Sequence, residues 1–360
     1  MPPESAKIQW CLASDIRQIA SGLKAEIPAL EGKSVLLCGG GGFLGRYFTE
    51  VFHHLNQDLL RRPVKLTVLD NFITASRQNL HFRESEHLLF KEHDITQSYR
   101  DEGHFDYILQ AAGIASPFYY RKYPLETLDV AMNGTRHMLD LAQKNGAKLL
   151  FFSSSEIYGD PDPRFIPTPE DYNGNVSCLG PRACYDEGKR VGETLCRIYF
   201  ETQGTQVKIV RPFNVYGPGM NQKDYRVLPN FASAILSGRP INIYGSGRQT
   251  RTFCYVTDAV TGFIKALVRG VDGEAYNIGN PSPEITLLDL AKTIESVLGC
   301  TVKINFTPYP ESYIAKEPVR RCPDLRKAQK ELGYKAEIGL NEGLARFFHW
   351  ASENYLTENA

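Results

Sequence analysis

The chain has 360 residues, of which 42% are hydrophobic and 23% are charged, and this is the composition of a folded globular protein with a substantial core. Its 41 basic residues balance its 41 acidic residues, which argues against a general binder of nucleic acid or of anionic membranes. No segment approaches the roughly 18 apolar residues of a membrane-spanning helix, and the features of a signal peptide are not visible.

The eight cysteines are scattered without CxxC spacing, and His53 and His54 are the only adjacent histidines. This pattern favours free thiols over a disulfide framework or a zinc site. We therefore expect a cytoplasmic protein that holds no metal.

Strands and helices alternate along the chain after a possible short helix at residues 14–23. Continuous apolar strands that alternate with helices indicate an α/β fold, a doubly wound parallel sheet of the Rossmann type. The predicted strands are 34–38, 64–70, 106–112, 148–154 and 207–212, and the longer predicted helices are 124–146 and 183–204.

The rhythm changes after Asn214, where glycine and proline become frequent and helical patterns recur at 228–236 and 286–299. We interpret this part as a smaller lobe that grows from the sheet. The predicted organisation is an N-terminal extension at 1–32, a dinucleotide-binding domain at 33–213 and a mainly substrate-binding lobe at 214–360.

The first strand runs into a glycine cluster, residues 39–45, which contains a GxxGxxG pattern. Such glycines let a pyrophosphate approach the backbone, and the following helix offers N–H donors. The predicted cofactor-binding residues here are Gly39, Gly42, Phe43, Leu44 and Gly45.

Asp70 ends the next strand, where an acid can bind the adenosine ribose and repel a 2′-phosphate, so NAD is favoured over NADP. Asn71 follows it, and Asp94 and Ile95 are candidates for the adenine site. The alternatives are that Asp70 caps a glycine-rich turn and that Asp94 is a turn aspartate.

Tyr185 and Lys189 lie four residues apart on a predicted helix, which places them on one face. A nearby ammonium group favours the phenolate, and a phenolate beside a nicotinamide can take the proton of a sugar hydroxyl. The pair alone occurs often by chance, but the upstream nucleotide signature and the strand ending at Ser154 support a catalytic interpretation.

Several motifs of the chain are similar to those of a known enzyme family. They are "GGGGFLG", "LDNF", "FFSSSEIYGDP", "GPRACYDEGKR", "RPFNVYGPGM", "YGSGRQTRTFCYV" and "RRCPDL". The chain resembles the extended short-chain dehydrogenase/reductase family of nucleotide-sugar enzymes from about residue 33 to 350. Within that family it looks most like the UDP-glucuronate decarboxylases.

The resemblance implies that NAD oxidises carbon 4 of the sugar, that the resulting β-keto acid loses carbon dioxide, and that the same cofactor then returns its hydride. It implies that Tyr185 is the base, Lys189 its electrostatic partner and a ribose ligand, and Ser154 a hydrogen-bond partner of the reacting oxygen. Ser155 and Glu156 would orient the sugar acid. Dehydratases of the family carry an aspartate where Ser155 stands, so dehydration is disfavoured.

The resemblance also implies a set of substrate-binding residues. Arg321 would meet the sugar carboxylate through two N–H bonds, and the alternatives are a surface arginine at 321 and a surface acid at Glu156. Tyr120 would contact the sugar, although Tyr119 and Tyr123 are neighbours. Asn214, Tyr244 and Arg251 would hold the diphosphate and nucleoside, with UDP favoured as the nucleotide.

Four departures from the decarboxylase pattern leave the reaction open: Gln110-Ala111, Ala131, Gly219 and Cys322 within residues 321–324. The alternatives are a nucleotide-sugar 4-epimerase, a 4,6-dehydratase, a dehydrogenase on a different sugar, or a catalytically silent NAD-binding protein. A homodimer formed through the helices at 124–144 and 184–203 is expected from the family.

Overall fold

The computed structural model describes residues 10–76, 85–100, 103–308 and 318–355. Seven parallel strands form the central sheet, and across the sheet they lie in the order 275–278, 207–212, 148–152, 107–110, 34–38, 65–70 and 88–92. The strands of the described chain are β1 (Ser34–Cys38), β2 (Lys65–Asp70), β3 (Leu88–Glu92), β4 (Tyr107–Gln110), β5 (Lys148–Phe152), β6 (Val207–Pro212), β7 (Val215–Tyr216), β8 (Ile241–Tyr244), β9 (Thr250–Arg251), β10 (Cys254–Tyr255), β11 (Ala275–Ile278), β12 (Ile285–Thr286), β13 (Ile304–Thr307) and β14 (Arg320–Arg321).

Helices cover both faces of the sheet, which confirms the predicted Rossmann-type fold. The helices are α1 (Ala13–Gly22), α2 (Ile27–Leu30), α3 (Phe43–Asp58), α4 (Pro117–Lys122), α5 (Pro124–Asp129), α6 (Thr135–Asn145), α7 (Ala183–Gln203), α8 (Val227–Leu236), α9 (Val256–Arg269), α10 (Leu287–Leu298), α11 (Arg326–Leu332) and α12 (Leu340–Asn354). Phe48 and Phe263 pack against Phe152 on one face. Phe151 and Cys196 belong to the core on the other.

All five predicted strands are present, and the two outer strands of the sheet, β3 and β11, were not predicted. β3 is an edge strand in which only Leu88 is fully buried. β11 has four residues and lies among the glycines and prolines of the C-terminal half. Because β11 pairs with β6, the chain returns to the sheet after residue 213.

The long helix predicted at 124–146 is interrupted by a π-helical turn at Val130–Gly134. This turn lies against α7, where a Cβ added to Gly188 would sit 3.1 Å from the Cβ of Ala131. A side chain larger than alanine at 131 would therefore press on α7.

Residues 13–30 of the N-terminal extension are part of the folded core. Helix α1 contacts α3 and α9, and the completely buried carboxylate of Asp15 accepts hydrogen bonds from Tyr255 at 2.7 Å and from Arg346 at 2.9 Å. Ile19 and Leu23 are buried in the same core as Phe347 of α12. The predicted short helix at 14–23 is confirmed.

Among the described residues, no helix combines the length and the apolar character that crossing a membrane requires.

Candidate active site

A cleft of about 410 Å³ lies between the carboxyl ends of the sheet strands and the C-terminal lobe. Sheets of this type place ligands at that edge. Of the predicted site residues, fifteen line this cleft: Gly39, Gly42, Phe43, Leu44, Gly45, Asp70, Tyr120, Ser154, Ser155, Glu156, Tyr185, Lys189, Asn214, Arg251 and Arg321. Asn71, Asp94 and Ile95 line a smaller adjoining pocket that shares Asp70 and Gly39 with the cleft.

The glycine loop is too tight for larger residues. Gly39 has a φ of +83°, and a Cβ there would lie 2.8 Å from the Cα of Ala112. A Cβ on Gly45 would lie 2.2 Å from the carbonyl oxygen of Gly39. Gly42 is the N-cap of α3, and Phe43, Leu44 and Gly45 of the first turn line the cleft, where a helix N-terminus offers N–H donors. These residues fit a dinucleotide diphosphate, which needs a bare backbone and oriented donors.

Replacing Gly45 by alanine is expected to disrupt this loop. The added methyl group meets backbone atoms that cannot move aside, so the free energy of unfolding should fall by about 1–3 kcal/mol, as in other overpacked sites. NAD binding should weaken as well. Denaturant unfolding and NAD titration measure both effects, with Gly339→Ala as the control because a Cβ at Gly339 meets nothing within 4 Å. Equal behaviour of the two variants would contradict this account.

Asp70 is already engaged with the backbone around the glycine loop. Its Oδ2 accepts the Gly41 N–H at 2.8 Å and its Oδ1 accepts the Phe72 N–H at 2.7 Å. Burial raises the pKa of Asp70, although these N–H groups act in the opposite direction. The Asn71 side-chain amide donates to Asp94 at 3.1 Å, and Asp94 and Ile95 lie together beside the loop.

Tyr185 and Lys189 lie one turn apart on α7, and both are almost fully buried. Lys189 Nζ donates to the carbonyl oxygen of Phe152 at 2.6 Å and lies 5.9 Å from the centre of the Tyr185 ring. The ring of Tyr120 stacks on that of Tyr185 at 5.4 Å, with 14° between the planes. Of the three neighbouring tyrosines, Tyr120 is the buried one.

The expected acidification of Tyr185 does not appear. Burial raises the pKa of Tyr185, and its hydrogen bond with Ser154 only partly opposes this effect. Burial also lowers the pKa of Lys189 to about 8. The low-polarity surroundings therefore disfavour the charged form of both groups.

The low pKa of Lys189 predicts a pH-dependent stability of the protein without dinucleotide. An unfolded lysine titrates near 10.4, whereas Lys189 titrates at about 8 in the folded protein. Between these values the unfolded chain binds more protons, so stability rises with pH, by about 2 kcal/mol from pH 8 to pH 10. Urea unfolding should show that Lys189→Met lacks this increment. A difference between variant and wild type that is constant with pH would refute the prediction.

Glu156 joins two arginines within the cleft. It forms two ion-pair contacts with Arg321, at 2.5 and 2.7 Å, and a third with Arg182. The side chain of Arg321 is almost fully buried and that of Glu156 is about four-fifths buried. Arg182 also lies 3.6 Å from Asp186. The surface alternatives for Glu156 and Arg321 are therefore wrong.

Arg321 and Arg251 stand side by side. Strand β14 pairs with β9 in parallel register, so Arg321 is the direct neighbour of Arg251. Glu284 holds this small sheet together through two hydrogen bonds from Arg320, at 2.8 and 2.7 Å. The arrangement brings two cations to one wall of the cleft.

Asn214 and Tyr244, which were predicted to contact the substrate, are placed differently from the other predicted site residues. Asn214 lines the cleft, but its amide donates to the carbonyl oxygen of Thr252 at 2.8 Å. Tyr244 lies at the end of β8, is 38% exposed, and is not among the described residues that line the cleft.

Comparison with known proteins identifies the family. Residues 35–279 match the family described as "NAD dependent epimerase/dehydratase family". The chain belongs to this family. It is therefore an enzyme with NAD as its cofactor, as the sequence predicted, and the resemblance to the extended short-chain dehydrogenase/reductase family is confirmed.

Named relatives are similar over most of the chain. UDP-glucuronic acid decarboxylase 1 of Xenopus tropicalis is 40% identical over 319 residues, which cover 88% of this chain and 72% of that protein. UDP-glucuronic acid decarboxylase 3 of Arabidopsis thaliana is 39% identical over 312 residues, 86% of each chain. The structure of dTDP-glucose 4,6-dehydratase from Streptomyces venezuelae, with NAD and TYD bound, is 26% identical and has a TM-score of 0.78, covering 89% of this chain and 97% of that one.

Two arginines that line the cleft, Arg182 and Arg226, were not predicted from the sequence. Arg182 lies three residues before Tyr185, inside the motif that carries the family resemblance. Its place in that motif could have indicated that it belongs to the site. Arg226 also lines the cleft and pairs with Asp224 through two contacts of 2.6 Å. Its charge helps to lower the pKa of Tyr185 against the effect of burial, and no sequence pattern indicated this proximity.

Proposed function

We propose that this enzyme oxidises the sugar of UDP-glucuronate at carbon 4 and releases carbon 6 as carbon dioxide, so that UDP-xylose is formed and NAD is regenerated. The observation that carries the proposal is the contact of Arg182 and Arg321 with a carboxylate, that of Glu156, in the same cleft as Tyr185. The names of the relatives at about 40% identity support the same reaction.

In this proposal Tyr185 takes the proton of the 4-hydroxyl group, and Ser154 holds the reacting oxygen. NAD supplies hydride acceptance at carbon 4 and the later return of that hydride. Lys189, fixed to Phe152, keeps a positive charge near the phenol ring. Tyr120 limits the movement of Tyr185 through ring stacking. Because burial raises the pKa of Tyr185, the phenolate that can take this proton becomes more abundant as the pH rises.

Oxidation at carbon 4 makes the sugar acid a β-keto acid. The bond between carbons 5 and 6 then breaks, its electron pair passes into an enolate across carbons 4 and 5, and carbon dioxide leaves. Carbon 5 takes up a proton before carbon 4 is reduced. The planar fork of Arg321 suits a carboxylate, and because it holds Glu156 in the structure, the sugar carboxylate has to displace Glu156 from it. Ser155 and Glu156 orient the sugar.

Incubation with UDP-glucuronate and mass spectrometry of the product tests this function. The expected product is lighter than the substrate by one carbon dioxide, with no net consumption of NAD. A product of unchanged mass would show a 4-epimerase, and one lighter by water a 4,6-dehydratase. Accumulation of NADH would show a dehydrogenase. UDP-glucose, which lacks the carboxylate, is the matched control and should not be decarboxylated.

We also propose a cytoplasmic homodimer. Leu125 of α5 and Ile198 of α7 are 72% and 45% exposed, and Met132 between α5 and α6 is 39% exposed. These apolar side chains permit a contact between two copies through α5, α6 and α7, whereas Leu139 is buried against the sheet. Light scattering on the purified protein should give the mass of a dimer, and Leu125→Glu should shift it toward the monomer.

A further inference from the structure

Arg46 is an unusual buried cation beside the glycine loop. It follows Gly45 in the first turn of α3, lines the cleft and is 5% exposed. Its Nε and Nη2 donate to the carbonyl oxygen of Gly41 at 2.9 and 2.7 Å. Its guanidinium group lies 3.7 Å above the ring of Trp10, which belongs to the N-terminal segment. Two neutral groups thus fix the plane of this side chain.

The charge of Arg46 has no direct anionic partner in the described part of the chain. No carboxylate of those residues lies within ion-pair distance, and Nη1 is buried without a hydrogen-bond acceptor among them. Asp70 acts on Arg46 only through space, since both of its oxygens accept backbone N–H groups. Burial lowers the pKa of Arg46 to about 10. Proteins rarely bury a cation without a compensating anion, because desolvation is costly.

The place of Arg46 indicates which anion is missing. It lies at the helix end where the N–H groups of α3 converge, and the glycine loop beside it has no room for side chains. A diphosphate is the anion that such a loop accepts. Asp70 marks the ribose side of the loop and disfavours a phosphate there.

We propose that Arg46 is a phosphate-binding residue of the dinucleotide site. Its Nη1 donates to the diphosphate of NAD, while Trp10 is a positioning residue that keeps the guanidinium plane turned to the cleft. The N-terminal segment then takes part in cofactor binding, although Trp10 lies before the family match, which begins at residue 35. The backbone oxygen of Trp10 also lies against Gly219, where a Cβ would be 2.6 Å away.

Equilibrium binding of NAD, ADP-ribose and adenosine tests this role without any turnover. UDP is kept in excess to block a second nucleotide site. In Arg46→Met, affinity for NAD and ADP-ribose should fall about 10- to 100-fold, the loss expected for a charge-assisted hydrogen bond. Affinity for adenosine should stay within about twofold, because adenosine has no phosphate. The NAD affinity of the variant should also depend less on salt.

Two further variants separate the charge from the support of the loop. Arg46→Lys keeps the charge and should bind NAD with intermediate affinity. Trp10→Ala should weaken NAD and ADP-ribose binding and spare adenosine. Arg62→Met, at a side chain that is 75% exposed, is the matched control and should bind like the wild type.

Three outcomes would overturn the proposal. Wild-type NAD affinity in Arg46→Met would show that no phosphate contact exists. An equal loss for NAD and adenosine, with a lowered melting temperature, would show that Arg46 only supports the loop. Tighter binding of NADP than of NAD by the wild type, lost in Arg46→Met, would assign the charge to a 2′-phosphate instead. If Arg46→Met does not fold, the affinities of Arg46→Lys and Trp10→Ala for NAD, ADP-ribose and adenosine test the proposal instead.

Discussion

Replacing Tyr185 by phenylalanine is expected to lower turnover about 10²- to 10⁴-fold, the range found when a positioned acid–base group is removed. The substitution deletes only the hydroxyl group, and the ring can keep its stacking on Tyr120. NAD binding and thermal stability should therefore change little. The measurement is the rate of carbon dioxide release from UDP-glucuronate at saturating substrate, together with an NAD titration.

Tyr120→Phe is the matched control, because Tyr120 is also buried and faces Tyr185 in the same stack. The turnover rate should fall much less in Tyr120→Phe than in Tyr185→Phe. The raised pKa of Tyr185 further predicts that the wild-type rate increases with pH below that pKa, and Tyr120→Phe should retain this increase. Comparable losses in the two variants would contradict the assignment of the base to Tyr185.

The second large effect is expected for Arg321→Met. The change removes the bidentate partner of Glu156 and leaves Arg182 as its partner in the cluster. Breaking a desolvated charge pair costs roughly 2–5 kcal/mol in binding, so kcat/KM for UDP-glucuronate should fall about 30- to 5,000-fold. Binding of UDP-glucose should be nearly unchanged, because that sugar carries no carboxylate. Initial rates and competition binding with the two nucleotide sugars give both quantities.

Arg320→Met provides the control within the same strand. Arg320 precedes Arg321 on β14 but pairs with Glu284, away from Glu156. Arg320→Met should lower the free energy of unfolding modestly. It should leave the preference for UDP-glucuronate over UDP-glucose unchanged. If both arginine variants lost the same factor for both sugars, the carboxylate site would have to lie elsewhere.

The fold was largely predictable because its signals are local. Each predicted strand is a continuous apolar run, and such runs are typical of parallel strands buried on both faces. Strands β3 and β11 lack that signal, since β3 is only partly buried and β11 has four residues. The glycine loop and the Tyr185–Lys189 pair were also readable, because each depends on spacing within a single element.

The remaining features depend on contacts between distant segments. Arg321 is the neighbour of Arg251 through strand register, and Arg182, just before α7, contacts Glu156, which lies 26 positions earlier in the turn after β5. Burial works against the predicted acidic phenol for a different reason. Spacing indicates that a lysine is near, but it does not measure how strongly burial opposes charge.

The contact of Asp15 with Arg346 spans 331 positions, so the first helix of the chain depends on the last one. During synthesis on the ribosome, Asp15 is made long before Arg346. Until Arg346 is available, helix α1 carries an acidic side chain without this ion-pair partner. Final consolidation of the cofactor half should then come only after synthesis is complete. Nascent chains that stop short of α12 are expected to be substrates for chaperones and proteases.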